Sequence, residues 1–392
     1  ARFVLAVPND QDEADMGRTK SKVETESLPN VMISAASAET VARYGAGVRE
    51  RLVAYSGIDN ELGKRLHTSL KDVSNYKISA DPLKDPKRYY AELKAKAGYS
   101  AEVLEVAERR AAEAQAGRKP TTQRVDDLPG HVNDPLYDIT DKVDASGNPV
   151  PGSSAQLKFR GKTPEDCLKI LSGKSCEKYV ESNCKLVVPK DYYDGVKEAL
   201  AKRIEKVEAQ IAKLESGGNA KALETRQAEL EKLKRINRNL RQGKVTNAEA
   251  QQAVKHPGWV TTKGILRDAN KAGLAQAGMG AAIGGGVSII TNLTAVFRGE
   301  KKIGDAALDV AKDTAIAGGM SYATAFTGAV IGGTARNATS SMVRSLAKTN
   351  LPSYIATTVF EIGKTMTRYV RGEIDGTQCI EELGVKGYSM ST

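Results

Sequence analysis

Two stretches without a single charge, Ala272–Phe297 and Thr314–Ala335, interrupt a chain otherwise dense in lysine, arginine, aspartate and glutamate. An α-helix needs roughly 20 apolar residues to cross a hydrocarbon core, and each run reaches that length. The segment between them, RGEKKIGDAALDVAKD, is strongly charged. Gly280–Gly284 and Gly328–Gly332 each set two small residues four apart, the spacing that lets helix backbones approach closely. The runs therefore read as a Gly/Ala-rich helical pair. Composition leaves its surroundings open. Glycine inside a helix costs about 1 kcal/mol relative to alanine, and the runs hold little of the leucine and phenylalanine that drive insertion. A tightly packed soluble pair satisfies the pattern as well as a membrane hairpin does. The string GMGAAIGGG spells G-x-G-x-x-x-G, with no strand before it and no acidic residue at the expected offset, so it does not make a dinucleotide fingerprint.

A chain of 392 residues has room for two or three domains and a sizeable core. Aromatics at 5% and a mean hydropathy of −0.40 exclude a polytopic transporter. The net charge of +10 points to acidic partners, nucleic acid or an anionic membrane surface, and is an argument about association rather than fold. Four cysteines, Cys167, Cys176, Cys184 and Cys379, are too few for a disulfide scaffold, and their spacing matches no zinc pattern. They read as isolated thiols in a reducing compartment. No signal peptide is visible and the chain starts without methionine, which reads as a trimmed N-terminus. The expected location is cytoplasmic, or peripheral to or inserted in a membrane.

In chain order, four segments emerge. Residues 1–117 read as a helical domain with a polar arm: ARFVLAV as a short strand, a helix carrying Val41, Tyr44, Val48 and Leu52 at helical spacing, short helices broken at Gly57, Gly63 and DPLKDP, then one helix opened by Pro86 and another capped by Ser100. Residues 118–190 change to strand-like PLYDITDKV and SSAQLKFRG, a helix capped by Thr163 with Pro164 at its first position, and the strand-like CKLVVP. That is a small ββαβ module. In 191–255, Val196, Leu200, Ile204, Val207, Ile211 and Leu214 form a heptad-like stripe, broken at SGGN and resumed by Leu223, Leu230, Leu233 and Leu240. This predicts a long antiparallel helical hairpin, followed by a short helix whose T-N-A-E start, Thr246 to Glu249, is a capping box. Residues 256–392 hold the Gly/Ala-rich pair. The fold class expected is mainly α-helical with a small α/β module.

Two constellations could carry function beyond the glycines. Asp138 and Asp141 precede Gln156-Leu157-Lys158 across a turn, with a helix and a strand after them. This resembles the core of restriction-endonuclease-like nucleases, in which an acidic residue on one strand and an E/Q-x-K on the next hold Mg²⁺ beside a lysine that stabilises charge at the scissile phosphate. The resemblance covers about 60 residues by this strand spacing. It implies Asp138, Asp141, Gln156 and Lys158 as the site and Mg²⁺ as cofactor, with glutamine replacing the commoner glutamate and weakening the ligand set. The second constellation is the run of Lys232, Lys234, Arg235, Arg238, Arg241 and Lys244, without an acidic residue among them, which could grip phosphate or anionic headgroups. It is equally the solvated end of a helical hairpin. The uncharged pair itself resembles glycine-zipper segments of bacterial membrane-active proteins. The leading expectation is a non-catalytic bacterial or phage effector or assembly protein, without cofactor, whose glycine-rich pair inserts in a membrane or drives self-association. The alternative is a Mg²⁺-dependent nuclease acting on DNA.

Overall fold

The computed structural model describes residues 37–215, 219–297 and 303–353, with a few single positions after them. The ARFVLAV segment, most of the SGGN break, Cys379 and most of Leu351–Gly363 lie outside the described residues. The chain is mainly helical with a small mixed sheet, and forms two compact units, Arg49–Ile265 and the combination of Ala1–Val48 with Leu266–Thr392. These units cut the chain differently from the four segments read from composition. The reason is the sheet, which gathers strands from Gln123 to Gln242 and so joins the middle segments into one body.

In the larger unit, helix α1 (37–56) leads into a two-residue antiparallel ribbon, β1 (Ile58–Asp59) with β2 (Lys64–Arg65), where short helices were expected. Helix α2 (Leu70–Asn75) starts on a capping box between Ser69 and Asp72. Helix α3 (Pro86–Gln115) is continuous, with Asp85 as its N-cap. It ends where Gly117 takes a φ of 72° and the Arg118 N–H reaches the Glu113 carbonyl at 2.9 Å, a left-handed stop that glycine adopts without a Cβ penalty. Ser100 is not a cap. It is buried in mid-helix, and its Oγ donates to the Ala250 carbonyl at 2.6 Å, so a polar residue that suggests a helix start instead joins two helices.

Five strands follow: β3 (Gln123–Arg124), β4 (Ile139–Thr140), β5 (Ser154–Leu157), β6 (Lys185–Val188) and β7 (Leu240–Gln242), side by side in chain order. The first three are antiparallel and the last three parallel. Between β5 and β6 lie α4 (Pro164–Leu171), capped by Thr163, and α5 (Glu177–Glu181). The long hairpin α6 (Tyr193–Glu215) and α7 (Ala220–Asn239) precedes β7, and α8 (Asn247–Lys255) opens on the Thr246–Glu249 capping box. Successive residues of a strand face opposite ways, and β6 divides accordingly. Val187 packs with α2, α3 and α8, while Leu186 and Val188 pack with α4, α6 and α7. The sheet is the middle layer of three. The sequence pattern predicts helix at β7, because Leu240 continues the apolar stripe of α7. Its strand conformation comes from parallel pairing with β6, a contact across more than 50 residues that no local pattern encodes.

The smaller unit holds the first part of α1, the helix α9 (Pro257–Phe297) from Leu266 onward, α10 (Ile303–Arg336) and α11 (Ser341–Leu346). Helix α9 starts directly after the α8 cap at His256, with Pro257 at the first position, where its missing N–H costs nothing. Tyr322 Oη donates to Asn270 Oδ1 at 2.6 Å, far from the 298–302 connection on both helices. With a rise of about 1.5 Å per residue, two helices joined by so short a link can meet there only if they run antiparallel. Val41, Ala272, Ala325 and Ala329 form the shared core, and Tyr44 packs against it.

The surroundings of Gly280 and Gly284 lie outside the described side chains, though their backbone is helical. Gly328 packs against α1 of its own chain, where an added Cβ would stand 2.8 Å from Val41 Cγ2. Gly332 has more room, its nearest neighbours being Pro352 side-chain atoms at 3.6 Å. Among the described residues no helix is long and apolar enough to cross a membrane.

Candidate functional site

The most reactive-looking arrangement grows out of a mismatch between strands. The last rung between β4 and β5 is the Asp138 N–H donating to the Ala155 carbonyl at 2.9 Å. Strand β5 runs on and pairs only with β6, so the Leu157 N–H faces the opening fork. The Asp138 carboxylate fills it, accepting that N–H at 2.7 Å and also the side-chain amide of Gln156. The Gln156 side-chain nitrogen is thereby committed to Asp138. Lys158 lies two residues along, on the same face of the strand as Gln156. Its ammonium stands 4.1 Å from the centre of the Tyr179 ring, on α5, with Lys178 at 4.9 Å from the same ring.

A second group of charges lies on β3 and α3; Arg124 is in register with Ile139 and Ile139 with Ala155, so it shares their face of the sheet, opposite Gln156. Arg124 is 1% exposed, and its Nη2 lies 3.0 Å from Glu102 Oε2 and 2.9 Å from Asp126 Oδ2. Glu102 feels the Asp138 charge. Burial pushes the Glu102 carboxyl up to about 8, with Asp138 repulsion added and the Arg124 charge opposing. Burial likewise raises Asp138 to about 6, against the Leu157 N–H, Lys158 and Arg124, which favour its ionised form. Cys184 borders the same charges, and burial pushes its thiol up to about 12, so it is no nucleophile. Cys167, Cys176 and Cys184 are all free thiols.

Of the four residues the nuclease resemblance implied, the fold brings together Asp138, Gln156 and Lys158. Asp141 is elsewhere: its Oδ1 accepts from Thr122 Oγ1 at 2.8 Å, and the same hydroxyl lies 3.0 Å from Glu113 Oε1. The spacing of Asp141 from Asp138 on so short a strand puts it past the closed end of the fork. Glu102 and Arg124 were missed. Glu102 sat on a helix face of mixed charge that reads as solvated, and Arg124 ended a stretch, RKPTTQR, that reads as linker.

The basic run is mostly neutralised. Lys232 lies 3.5 Å from Glu177, Lys234 3.0 Å from Glu208, and Arg235 and Arg238 each 3.2 Å from Glu231. Arg241 spends a guanidinium nitrogen on the Arg238 and Leu240 carbonyls, and Lys244 is exposed. Such exposed pairs are worth at most about 1 kcal/mol each, and together they describe a solvated hairpin end.

Among the described residues no three His, Cys, Asp or Glu side chains surround a common point where a metal could sit. Mg²⁺, however, is commonly held by one or two carboxylates with water and substrate phosphate completing the shell. At the fork the available oxygens are those of the Asp138 carboxylate, with the Gln156 amide beside it. Comparison with family models, curated proteins and solved structures returned no match.

The raised carboxyls predict a pH signature. Both bind protons more tightly in the folded chain than in the unfolded one, where carboxylates titrate near about 4. Their contribution to stability is therefore present at acid pH and lost as pH rises through about 6 for Asp138 and about 8 for Glu102. A cation that binds only the folded chain with Asp138 ionised reverses the loss of its share. At a hundred times its Kd it contributes about 2.7 kcal/mol, and a domain of this size then melts about 5–10 °C higher. Thermal melts at pH 5 and pH 8, with and without Mn²⁺, should show the metal increment at pH 8 only. An equal increment at both would contradict the assignment.

Proposed function

We propose that the chain is a divalent-metal-dependent nuclease with its centre at Asp138, Gln156 and Lys158. The observation that supports it best is the Asp138 carboxylate seated on the Leu157 N–H with Lys158 beside it. The Asp138 carboxylate, with the Gln156 amide oxygen, would hold the ion. When bound, it would supply Lewis acidity at a phosphoryl oxygen and a more acidic water. Lys158 would offset charge on the phosphate at the moment of attack, where a preoriented cation is worth most. Tyr179 keeps that ammonium in place by cation–π attraction, worth about 0.5–2 kcal/mol. The net charge of +10 supports a polyanionic substrate.

A reading of α9 and α10 as a membrane-inserting or self-associating hairpin is a separate proposal. It is supported by the two uncharged runs, and the use of Gly328 against the chain's own α1 speaks for an internal role instead. One preparation tests both. Supercoiled plasmid, single-stranded DNA and RNA are incubated with Mg²⁺ or Mn²⁺ and wild type or Lys158→Ala, and the same proteins are floated with anionic vesicles. Cleavage by wild type alone supports the nuclease. No cleavage of any substrate, or equal cleavage by Lys158→Ala, removes it, and vesicle capture with no cleavage favours the hairpin.

A further inference from the structure

The carboxyl ends of the three parallel strands carry a row of cations. Extending the register of β5, β6 and β7 by two or three residues sets Arg160, Lys190 and Lys244 at one level, one per strand. The strands do stay together that far. The Gly243 N–H donates to the Val188 carbonyl at 2.9 Å, and the Lys190 N–H to the Val245 carbonyl at 2.8 Å. A Cβ on Gly243 would stand 2.8 Å from that Val188 oxygen and 3.4 Å from the Phe159 ring, so the residues just before Arg160 and Lys244 lie side by side. One hydrogen-bond chain locks the three loops. Asn247 Nδ2 donates to Tyr192 Oη at 2.9 Å, and Tyr192 Oη donates to the Lys162 carbonyl at 3.0 Å. Arg160, Lys162, Lys190 and Lys244 are all exposed, and none forms an ion pair among the described residues. The acids on these loops are engaged by the backbone: Asp191 Oδ1 accepts the Asn247 N–H at 2.9 Å, and Asp166 Oδ2 the Lys162 N–H at 3.3 Å. Lys244 thus parts from the hairpin's basic run, whose Lys232, Lys234, Arg235 and Arg238 are paired.

From this row we infer that the carboxyl end of β5, β6 and β7 grips the phosphodiester backbone of a nucleic acid, one phosphate to each of Arg160, Lys190 and Lys244. Neighbouring strands lie about 4.8 Å apart. The row therefore crosses about 10 Å, the rise of roughly three nucleotides along one strand. The carboxyl ends of parallel strands are where loops are free to present side chains to a ligand. Because these loops are already tied to one another, binding has to order only the long side chains. A membrane surface fits less well. Anchoring there needs an apolar face that enters the headgroup boundary, and none of the exposed large hydrophobic residues lies on these three loops. Lys158 stands two residues before Arg160, just past the end of β5, so a strand held on the row runs past the fork. The grip itself requires neither a metal nor the nuclease reading.

Fluorescence anisotropy tests this with the full chain in EDTA and a labelled DNA duplex, a DNA single strand or an RNA hairpin, across a salt series. Each phosphate neutralised on duplex DNA contributes about 0.9 to the slope of log K against log salt. Arg160→Gln, Lys190→Gln and Lys244→Gln combined should therefore flatten the slope by about 2.7 and weaken binding at low salt by about tenfold or more. The three positions are exposed, so the substitutions leave the fold intact. Lys190→Arg, which keeps the charge, should bind as wild type does. Lys232→Gln, Lys234→Gln and Arg235→Gln remove the same net charge from paired positions and should move the slope by less than about 1. If the two triple variants lose equal affinity, net charge and not the row is responsible, and the inference is wrong. It is wrong too if wild type binds none of these nucleic acids, or if phosphatidylserine vesicles floated with the same variants depend on the row while nucleic acids do not. Cleavage is not read, so a chain that binds through the row but cuts nothing upholds this inference while removing the nuclease.

Discussion

Asp138→Asn is expected to lower Mg²⁺-dependent DNA cleavage by about 10³-fold or more, about 4 kcal/mol of transition-state stabilisation. The substitution is nearly isosteric. An asparagine Oδ1 can still accept from the Leu157 N–H and the Gln156 amide, so the fork keeps its shape. What disappears is the negative charge that would hold the ion. The change also removes a buried ionisable group, whose charged form burial disfavours. Metal-free stability at pH 8 should therefore stay level or rise, and the Mn²⁺ increment in melting temperature should vanish. Initial rates of plasmid nicking at saturating Mg²⁺, beside melts of the same samples, separate lost chemistry from lost fold. A variant that kept more than about a tenth of wild-type rate, a change under about 1.4 kcal/mol, would show that Asp138 is not at the reacting centre.

Gly333→Leu should destabilise the smaller unit by about 3 kcal/mol, at the upper end for forcing bulk into a filled core. A Cβ at this position would lie 2.5 Å from Val48 Cβ and 2.6 Å from the Gly45 carbonyl oxygen. Neither neighbour is the far end of a flexible chain, so the α1 and α10 backbones must separate. Gly332→Ala is the control. Its Cβ meets Pro352 at 3.6 Å, an ordinary contact, so replacing a helical glycine there should stabilise by up to about 1 kcal/mol. Because the chain forms two units, one global transition cannot be assumed. Limited proteolysis across a urea series, following cuts within 303–353, reports the smaller unit by itself. Equal effects of the two substitutions would mean that close helix approach at Gly333 does not hold this unit together.

Much of the frame was readable without tertiary knowledge where local chemistry is self-contained. Thr163 before Pro164, Thr246 with Glu249, and Gly117 closing α3 each satisfy backbone groups within one turn, so their sequence spacing is their structure. The α6–α7 hairpin was legible because Val196, Leu200, Val207, Leu233 and Ile236 bury one stripe at helical period. The errors came where a residue had two local meanings. Ser100 is as good a cap as it is a buried cross-helix donor. Leu240 fits the end of a heptad stripe as well as the start of an edge strand.

The site divided along the same line. Gln156 and Lys158 could be named in advance, because residues two apart on a strand share a face whatever surrounds them. Asp138 and Asp141 were indistinguishable as letters. Only the point at which β4 and β5 part company put Asp138 on the Leu157 N–H and sent Asp141 to Thr122. Glu102 and Arg124, 22 residues apart, meet because α3 lies over the face of the sheet that Arg124 points to. For the glycine-rich runs, sequence alone determined that they are helical and suited to close approach. Which backbone they approach was a tertiary decision: Gly328 and Gly333 meet Val41, Gly45 and Val48 of α1. Helical period and capping are short-range and survive in the bare sequence. Partner choice depends on which distant surface excludes water at that spot, and no local pattern carries it.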